Sequence, residues 1–174
     1  MSLLEASHLR KVYAGRTVVD GVSFHVEKSE IVGLLGRNGA GKTTSFRMVI
    51  GMIDADGGNV VFDGHDVSGL AMYQRANRGM GYLSQEPSVF SRMSVEQNLL
   101  AILETRKLSR AARNSRAADL LAQFGLIHKA KHAARTCSGG ERRKPETARS
   151  LTPEPRLILL AEPFSGVGPI AVED

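Results

Sequence analysis

The sequence has a single cysteine, few aromatic residues and no long hydrophobic run. Cys137 has no second cysteine with which to form an intramolecular disulfide, so the composition gives no support to an oxidising compartment. No apolar run approaches the roughly 20 residues that a membrane-spanning helix requires, and the first residues, MSLLEASHLRK, lack the apolar stretch of a secretory signal. We therefore expect a cytoplasmic protein that reaches a membrane only through a partner.

The composition is that of an ordinary globular domain, but its positive charge is concentrated in one segment. Of 174 residues, 42% are apolar and 24% are charged, and the net charge is +5. Residues 105–150 hold twelve Lys and Arg against three Asp and Glu, a local charge of +9 that leaves −4 for the rest. The basic side chains at 106, 107, 110, 113 and 116 could contact phosphates, but no aromatic residues interleave with them as a single-strand platform requires. A solvated helix surface is favoured, and nucleic acid is an unlikely partner.

The first half of the sequence predicts a hairpin, a buried strand and a helix. Residues 3–27 alternate polar and apolar around Ala14-Gly15, which indicates an antiparallel hairpin. Residues 30–36, EIVGLLG, form a continuous apolar run closed by glycine, which predicts a central strand buried on both faces. Residues 42–52 then predict a helix. Two further short strands are expected in GNVVFDG, which ends at the hairpin signal Asp63-Gly64, and in GMGYLSQ.

The second half predicts helices followed by a strand, so that the order is sheet, helices, sheet. Ser94 and Gln97 have the spacing of a capping box ahead of an apolar run, and a second helix is expected over residues 110–124, closed by Gly125. Ser138 could cap another helix, and RLILL at 156–160 predicts a buried strand. The fold class is therefore α/β, in one domain with a helical subdomain over about residues 88–150.

A phosphate-binding loop is the strongest motif. GRNGAGKT matches the pattern G-x-x-x-x-G-K-[ST] and lies between the predicted buried strand and a helix, which is the context that this motif requires. Glycines allow backbone N–H groups to surround phosphate oxygens, Lys42 can reach the terminal phosphates, and Thr43 can bind Mg²⁺. We expect Gly39 and Gly41 to be the critical glycines. The predicted nucleotide-binding residues are Gly36, Arg37, Asn38, Gly39, Ala40, Gly41, Lys42, Thr43 and Thr44.

A second anion-binding motif follows a basic loop. In CSGGE, Ser138 offers a hydroxyl, and Gly139 and Gly140 leave backbone N–H groups uncovered at the start of a helix. One nucleotide does not need two such surfaces from one small chain, unless two copies face each other and each motif completes the partner's site. The motif by itself is compatible with two facing copies of this chain and also with a Ser-Gly-Gly helix cap that has no function.

These motifs, in this order, resemble those of the ATP-binding-cassette (ABC) ATPases. The ordered set GRNGAGKTT, YLSQEP, CSGGERR and LILLAEPFSGV spans most of the chain. Within the family, the stretch GMGYLSQEPSVFSRMSVEQNLLAILE most resembles lipopolysaccharide-export ATPases, with branched-chain amino-acid importer ATPases as the alternative. The resemblance implies a RecA-like core with an antiparallel β subdomain and a helical subdomain. It also implies a head-to-tail dimer of this chain on the cytoplasmic face of the inner membrane, bound to transmembrane permease subunits and using ATP and Mg²⁺.

The resemblance also assigns roles to individual residues. It implies that Tyr13 stacks on adenine, that Gln85 senses Mg²⁺ and takes part in catalysis, that Ser138 is the signature serine, and that Glu162 polarises the attacking water. Tyr13 could instead merely finish a strand, and Gln85 could be a polar strand end. The resemblance further implies that a groove lined in part by Val89 and Phe90 receives a helix of the membrane subunit, although Phe90 could equally be a core residue.

Several positions depart from the pattern that the resemblance implies. An aspartate that supports Mg²⁺ is replaced by Ala161, and an aspartate that communicates across the dimer is replaced by Gly168. Cys137 stands where leucine begins the signature, and Pro145 within the signature helix predicts a kink that misdirects the signature. The chain stops at Asp174, before the last strands of the family fold and its switch histidine. His128 and His132 lie too early to replace that histidine and are expected on the loop surface.

The departures lead to two functional hypotheses. The first is the ATP-hydrolysing subunit of a lipopolysaccharide-export type ABC transporter, with weakened turnover. The second is a nucleotide-binding module with impaired or absent catalysis. Loss of sheet neighbours at the C-terminal end further predicts exposed apolar surface on the strand over residues 157–160.

Overall fold

The computed structural model describes residues 2–86, 88–137 and 139–161. Contacts between residues divide the chain into two compact units, Met1–Met80 and Gly81–Asp174. Among the helices that the structure describes, none has both the length and the apolar character needed to cross a membrane.

The first unit is built on a four-stranded antiparallel sheet. Its strands are β1 (Leu4–Tyr13), β2 (Arg16–Val26), β3 (Gly57–Phe62) and β4 (His65–Asp66), and their order is β2-β1-β3-β4. Ala14 and Gly15 have φ angles of 47° and 79° and join β1 to β2. Two consecutive positive φ angles are those of a type I′ turn, which matches the twist of the strands, so the predicted hairpin is confirmed. Asp63-Gly64, with φ angles of 50° and 75°, likewise joins β3 to β4.

Two helices complete this unit. They are α1 (Lys42–Ile50), which packs on β1 and β2, and α2 (Met72–Asn77). Helix α1 begins where the sequence predicts and ends two residues early, because Gly51 takes a φ of 78° and the next amide donates back to the carbonyl of Arg47. The fully buried side chains of this unit include Leu4, Leu9, Met48, Val49, Ile50, Phe62 and Val67.

The predicted central strand over residues 30–36 is wrong. This segment forms neither helix nor strand, and the side chains of Ile31 and Leu35 are 99% and 91% exposed. A strand is held by hydrogen bonds to a neighbouring strand, and none of the described strands pairs with this segment. An apolar composition is therefore not sufficient to make this segment a strand.

The second unit contains three packed helices. They are α3 (Val95–Glu104), α4 (Arg110–Gln123) and α5 (Gly139–Leu151). The predicted capping box is confirmed, since the amide of Gln97 donates to Ser94 Oγ and the amide of Ser94 donates to Gln97 Oε1. Gly125, with a φ of 63°, follows the end of α4 as predicted. The core between the helices consists of Val95, Leu99, Leu103, Ala117, Leu120, Leu121, Leu126, Cys137 and Ala148.

A two-stranded sheet accompanies these helices. It joins β5 (Met80–Leu83) to β6 (Leu157–Leu160), which confirms the predicted order of sheet, helices and sheet. The prediction that RLILL is buried is wrong for most of its residues, because only Leu159 is buried and Leu160 is 39% exposed. With β5 as its single described neighbour, β6 has one unpaired edge, and the exposure of Leu160 confirms the expectation of exposed apolar surface on this strand.

Pro145 does not end the signature helix. Helix α5 continues through it to Leu151, and the proline is buried. Misdirection of the signature stays a prediction, because Ser138 lies outside the described residues. His128 and His132 are both exposed, as the sequence predicts.

Candidate nucleotide site

The phosphate loop turns through two glycines with left-handed backbone conformation. Gly39 and Gly41 have φ angles of 80° and 84°, and the amide of Ala40 donates to the carbonyl of Arg37 at 3.1 Å. Because L-residues with a Cβ rarely adopt these angles, the turn requires glycine at both positions. The turn therefore gives a conformational reason for glycine at both positions, and their importance for phosphate binding stays a prediction.

Gly41 meets a second constraint from the neighbouring strand. A Cβ atom at this position would lie 2.6 Å from the carbonyl oxygen of Val18 and 2.9 Å from a methyl group of Val19. The loop therefore packs closely against β2 at the point where α1 begins. This contact fixes the origin of the helix and hence the direction in which its first amides point.

The beginning of α1 is arranged to accept an anion. Gly41 is the N-cap residue and has no side chain with which to cap the helix, and the first turn contains no acidic residue. The first N–H groups of a helix have no intrahelical partner, and together they carry a partial positive charge. Backbone N–H groups and helix dipole thus both favour a phosphate at this end, as in other phosphate loops.

Lys42 folds its side chain over the same loop. Its ammonium group donates to the carbonyl oxygens of Gly36 and Arg37 at 2.5 and 2.8 Å. A cation held by neutral carbonyls can exchange them for phosphate oxygens, which form stronger charge-assisted hydrogen bonds. Four other residues of the predicted site are exposed, and Thr44 is half-buried; the exposed ones are Arg37, Asn38, Ala40 and Thr43.

Tyr13 is placed by a small polar cluster at the end of β1. Lys11 donates to Asp56 Oδ1 at 2.9 Å, and the amide of Val12 donates to Asp56 Oδ2 at 2.7 Å. The hydrogen bond from Lys11 lowers the pKa of the Asp56 carboxyl below its ordinary value. The Lys11 ammonium also lies 5.5 Å from the centroid of the Tyr13 ring, which is 47% exposed. Tyr13 therefore finishes a strand and also presents an aromatic ring to solvent.

In the second unit, Gln85 begins a segment that α3 braces. Gln85 is exposed and lies two residues after β5. The buried side chain of Asn98 accepts a hydrogen bond from the amide of Phe90 at 2.7 Å and donates to the carbonyls of Phe90 and Ser94. Phe90 is 47% exposed, so the alternative that it is a core residue is wrong. Val89 beside it is half-buried.

Helix α5 holds the same segment from the other side. Glu146 accepts a hydrogen bond from the amide of Ser88 at 3.0 Å, and Arg143 donates to the carbonyl of Ser84 at 2.8 Å. The two side chains form an ion pair at 3.4 Å, and the guanidinium of Arg149 lies 5.1 Å from the centroid of the Phe90 ring. Burial lowers the pKa of Arg149 from its ordinary value.

These bracing residues were not predicted from the sequence. Arg143 and Glu146 have the i, i+3 spacing of a helical ion pair, which is a signal that they could interact. Nothing in the sequence indicates that Glu146 and Asn98 are buried or that both bind backbone groups 8 to 58 residues away. The structure therefore joins the Gln85 segment to the helix that the signature precedes.

Three predicted positions lie outside the described residues: Ser138, Glu162 and Gly168. Gly139 and Gly140 begin α5, and Ala161 is buried directly after β6. Its amide donates to the carbonyl of Leu83 at 3.0 Å, and its carbonyl accepts from Arg143 at 3.4 Å. The end of β6 is thus held by the same arginine as the Gln85 segment.

A Mg²⁺ ion fits the donor types that the chain provides. Mg²⁺ binds hard oxygen ligands and commonly takes only one or two from the protein, together with water and substrate phosphates. Thr43 and Gln85 each carry an oxygen donor, and neither side chain is buried. Within the described part of the chain, no group of three or more His, Cys, Asp or Glu side chains could hold a metal ion. That Thr43 and Gln85 contribute to binding Mg²⁺ stays a prediction.

Comparison with known proteins identifies the family. The ABC transporter family profile matches residues 19–165. The chain is 51% identical to the lipopolysaccharide export system ATP-binding protein LptB of Haemophilus influenzae and 50% identical to that of Escherichia coli K12. Both alignments cover 100% of this chain and 73% of the relative.

Solved structures confirm the fold class. An ATP-binding cassette of an ABC transporter superposes with a TM-score of 0.88 at 27% identity, covering 100% of this chain and 74% of the other. For cbiO1 from Clostridium perfringens, part of the ABC transporter complex cbiONQ, the TM-score is 0.86 at 25% identity, covering 99% and 70%. Such subunits bind ATP, dimerise and work with transmembrane partners. This chain belongs to the ATP-binding subunits of the ABC transporter family.

Proposed function

We propose that this protein binds ATP with Mg²⁺ as the ATPase subunit of a lipopolysaccharide-export type transporter. The observation that carries the nucleotide assignment is the uncapped beginning of α1, where two left-handed glycines and Lys42 surround one anion position. The identity of 51% to a lipopolysaccharide-export ATP-binding protein over the whole chain supports the cargo. A location on the cytoplasmic face of the inner membrane, on permease subunits, follows from that cargo.

In this proposal each part of the site has a separate task. The α1 amides and Lys42 hold the phosphates, Thr43 and Gln85 provide oxygen ligands, and Tyr13 stacks on adenine. Mg²⁺ neutralises charge on the β- and γ-phosphates when it is bound. Ser138, Gly139 and Gly140 bind the nucleotide held by a second, head-to-tail copy. Glu162 holds the attacking water as general base.

We propose further that this chain binds ATP but hydrolyses it slowly. The buried side chain at position 161 is a methyl group, where the family resemblance implies a carboxylate that supports Mg²⁺. Binding depends on the phosphate loop, in which the two left-handed glycines and Lys42 support the proposal. In contrast, stabilisation of charge in the transition state lacks the contribution of a carboxylate at position 161.

Equilibrium binding of a non-hydrolysable ATP analogue tests the nucleotide assignment. We expect saturable binding in the presence of Mg²⁺, and we expect Lys42→Ala to weaken it at least roughly tenfold, which is about 1.4 kcal/mol. Lys28→Ala, at an exposed lysine in the same unit, is the matched control and leaves the affinity unchanged. Absence of saturable binding, or equal affinity of the Lys42→Ala variant, contradicts the proposal.

Genetic complementation tests the cargo. The chain is expressed in Escherichia coli depleted of its own lipopolysaccharide export ATP-binding protein, and lipopolysaccharide at the cell surface is measured. We expect restored transport, and none with Lys42→Ala. If the chain instead restores leucine uptake to a strain lacking its branched-chain importer ATPase, the cargo assignment is wrong while the nucleotide assignment stands.

A further inference from the structure

A second, basic cavity lies in the unit that contains the packed helices. It has a volume of about 410 Å³ and is bordered by the end of α3, the start of α4 and the residues after α5. Known ligand pockets have volumes of roughly 300 to 1,000 Å³, so the cavity has room for a small ligand. The buried residues Leu103 and Thr152 contribute to its lining. It contains no residue of the phosphate loop.

The charged side chains in the lining of this cavity are mainly cationic. The lining contains three cations and one carboxylate, a net charge of +2: the cations are Arg106, Lys107 and Arg116, and the carboxylate is that of Glu154. Five of its nine lining residues belong to the segment 105–150, whose charge is +9. A concave surface on which positive charges outnumber negative ones concentrates its field, so this cavity attracts anions more strongly than the same side chains on a flat surface.

Backbone and carboxylate contacts hold two of these cations in place. Arg106 donates to the carbonyl of Pro153 at 3.4 Å, and Arg116 Nε lies 3.3 Å from Glu154 Oε1. Glu154 has a left-handed backbone, with a φ of 53°, and its amide donates to the carbonyl of Leu151 at 3.0 Å. The Glu154 side chain is 71% exposed, so its carboxylate is an accessible counter-ion rather than a buried one.

We propose that this cavity binds a phosphate group, supplied by an anionic lipid headgroup or by a free phosphate. A doubly charged phosphate matches the net charge of +2, and guanidinium groups bind phosphate oxygens through paired hydrogen bonds. The start of the 14-residue helix α4 also borders the cavity through Ala112, and its dipole favours an anion there. Glu154 then acts as an internal competitor that the phosphate displaces from Arg116.

Amide NMR of the whole chain, titrated with inorganic phosphate at low ionic strength, tests the proposal. We expect saturable shifts at Leu108 and Ala112. The double variant Arg106→Gln, Arg116→Gln weakens the affinity at least tenfold, whereas Glu154→Gln strengthens it about threefold because the competing carboxylate is lost. Arg110→Gln, at an exposed arginine outside the lining, leaves the affinity unchanged.

Two controls separate this site from other effects. Lys42→Ala removes phosphate shifts at Gly39 and keeps those at Ala112, because the two sites do not share residues. Lys107→Gln changes only an exposed side chain, so a weakened affinity in this variant cannot come from misfolding. Absence of shifts at Leu108 and Ala112, or equal affinity of the double variant and the original chain, overturns the proposal.

Vesicle co-sedimentation identifies the source of the phosphate. The probes are phosphatidylcholine vesicles with and without phosphatidylglycerol, at low and high salt. Retention that requires phosphatidylglycerol and is lost in the double variant assigns the site to a lipid headgroup. Phosphate shifts without retention assign it to a free phosphate.

Discussion

At Gly41, backbone conformation and close packing both require a residue without a Cβ atom. The residue has a φ of 84°, and a Cβ would collide with the carbonyl of Val18 at 2.6 Å. Gly15 in the β1–β2 turn has a similar φ of 79°, but a Cβ there would meet nothing within 4 Å. The two glycines therefore separate the cost of a left-handed backbone from the cost of a collision.

We predict that Gly41→Ala is more destabilising than Gly15→Ala. A left-handed backbone costs an L-residue roughly 1–2 kcal/mol, and this is the whole expected effect at position 15. At position 41 the collision with β2 adds to it and displaces the start of α1, so affinity for an ATP analogue also falls. Urea unfolding and nucleotide binding measure both effects. Equal free energies of unfolding for the two variants would show that β2 moves to accommodate the added Cβ without a loss of stability.

Ala161 is the residue at which we expect a single substitution to increase activity. It is buried next to the end of β6, and its backbone is already held by Leu83 and Arg143. We predict that Ala161→Asp raises the rate of ATP hydrolysis roughly tenfold, or about 1.4 kcal/mol in activation free energy, because the carboxylate supports Mg²⁺.

The matched control is Ala161→Asn, because asparagine has nearly the same size as aspartate but carries no charge. It leaves hydrolysis unchanged, and steady-state phosphate release measures both variants. If Ala161→Asp hydrolyses no faster than Ala161→Asn, the missing carboxylate does not limit turnover.

At the scale of elements, Arg75 links α1 to α2. Its buried guanidinium donates to the carbonyls of Met48 and Val49 at the end of α1, and also to those of Ser68 and Leu70. Burial lowers the pKa of Arg75 from its ordinary value. One side chain thus satisfies carbonyls that the end of a helix otherwise leaves to water or to capping groups.

We predict that Arg75→Gln destabilises the protein by about 3 kcal/mol or more. The shorter amide cannot reach all four carbonyls, and buried carbonyls without a donor are costly. Arg78→Gln, at an exposed arginine next to the end of α2, changes stability by less than about 0.5 kcal/mol. Equilibrium unfolding in urea compares the two. A loss below about 1 kcal/mol for Arg75→Gln would show that water replaces the guanidinium.

The elements that the sequence predicts well are those stabilised by neighbouring residues. The turn at Ala14-Gly15, the capping box at Ser94 and the glycine after α4 all depend on residues within a few positions. Residues 30–36 have the composition of a buried strand, but a strand depends on a partner that is remote in the chain. For the same reason β6 is less buried than its sequence predicts.

At the scale of the whole molecule, the exposed run over residues 30–36 affects solution behaviour. Ile31, Val32 and Leu35 present apolar side chains to solvent, and contiguous apolar surface of this kind promotes association.

We predict that Ile31→Ser changes the free energy of unfolding by less than about 0.5 kcal/mol, since the side chain is 99% exposed, and that it reduces self-association. Leu99→Ala, at a fully buried residue, is the contrasting control and costs about 2–5 kcal/mol. Urea unfolding measures the first effect, and sedimentation measures the second. A loss above about 2 kcal/mol for Ile31→Ser would show that this run is buried in solution.

The sequence by itself determined the nucleotide chemistry and the local elements, because glycine conformations, caps and a phosphate loop depend on residues close together in the chain. Only the tertiary structure decided which apolar runs are buried and which side chains brace the Gln85 segment. The contacts from Asn98 and Glu146, like the cationic cavity at Arg106 and Arg116, join residues 8 to 58 positions apart or on different elements. Such contacts depend on how elements pack, and no local pattern encodes that packing.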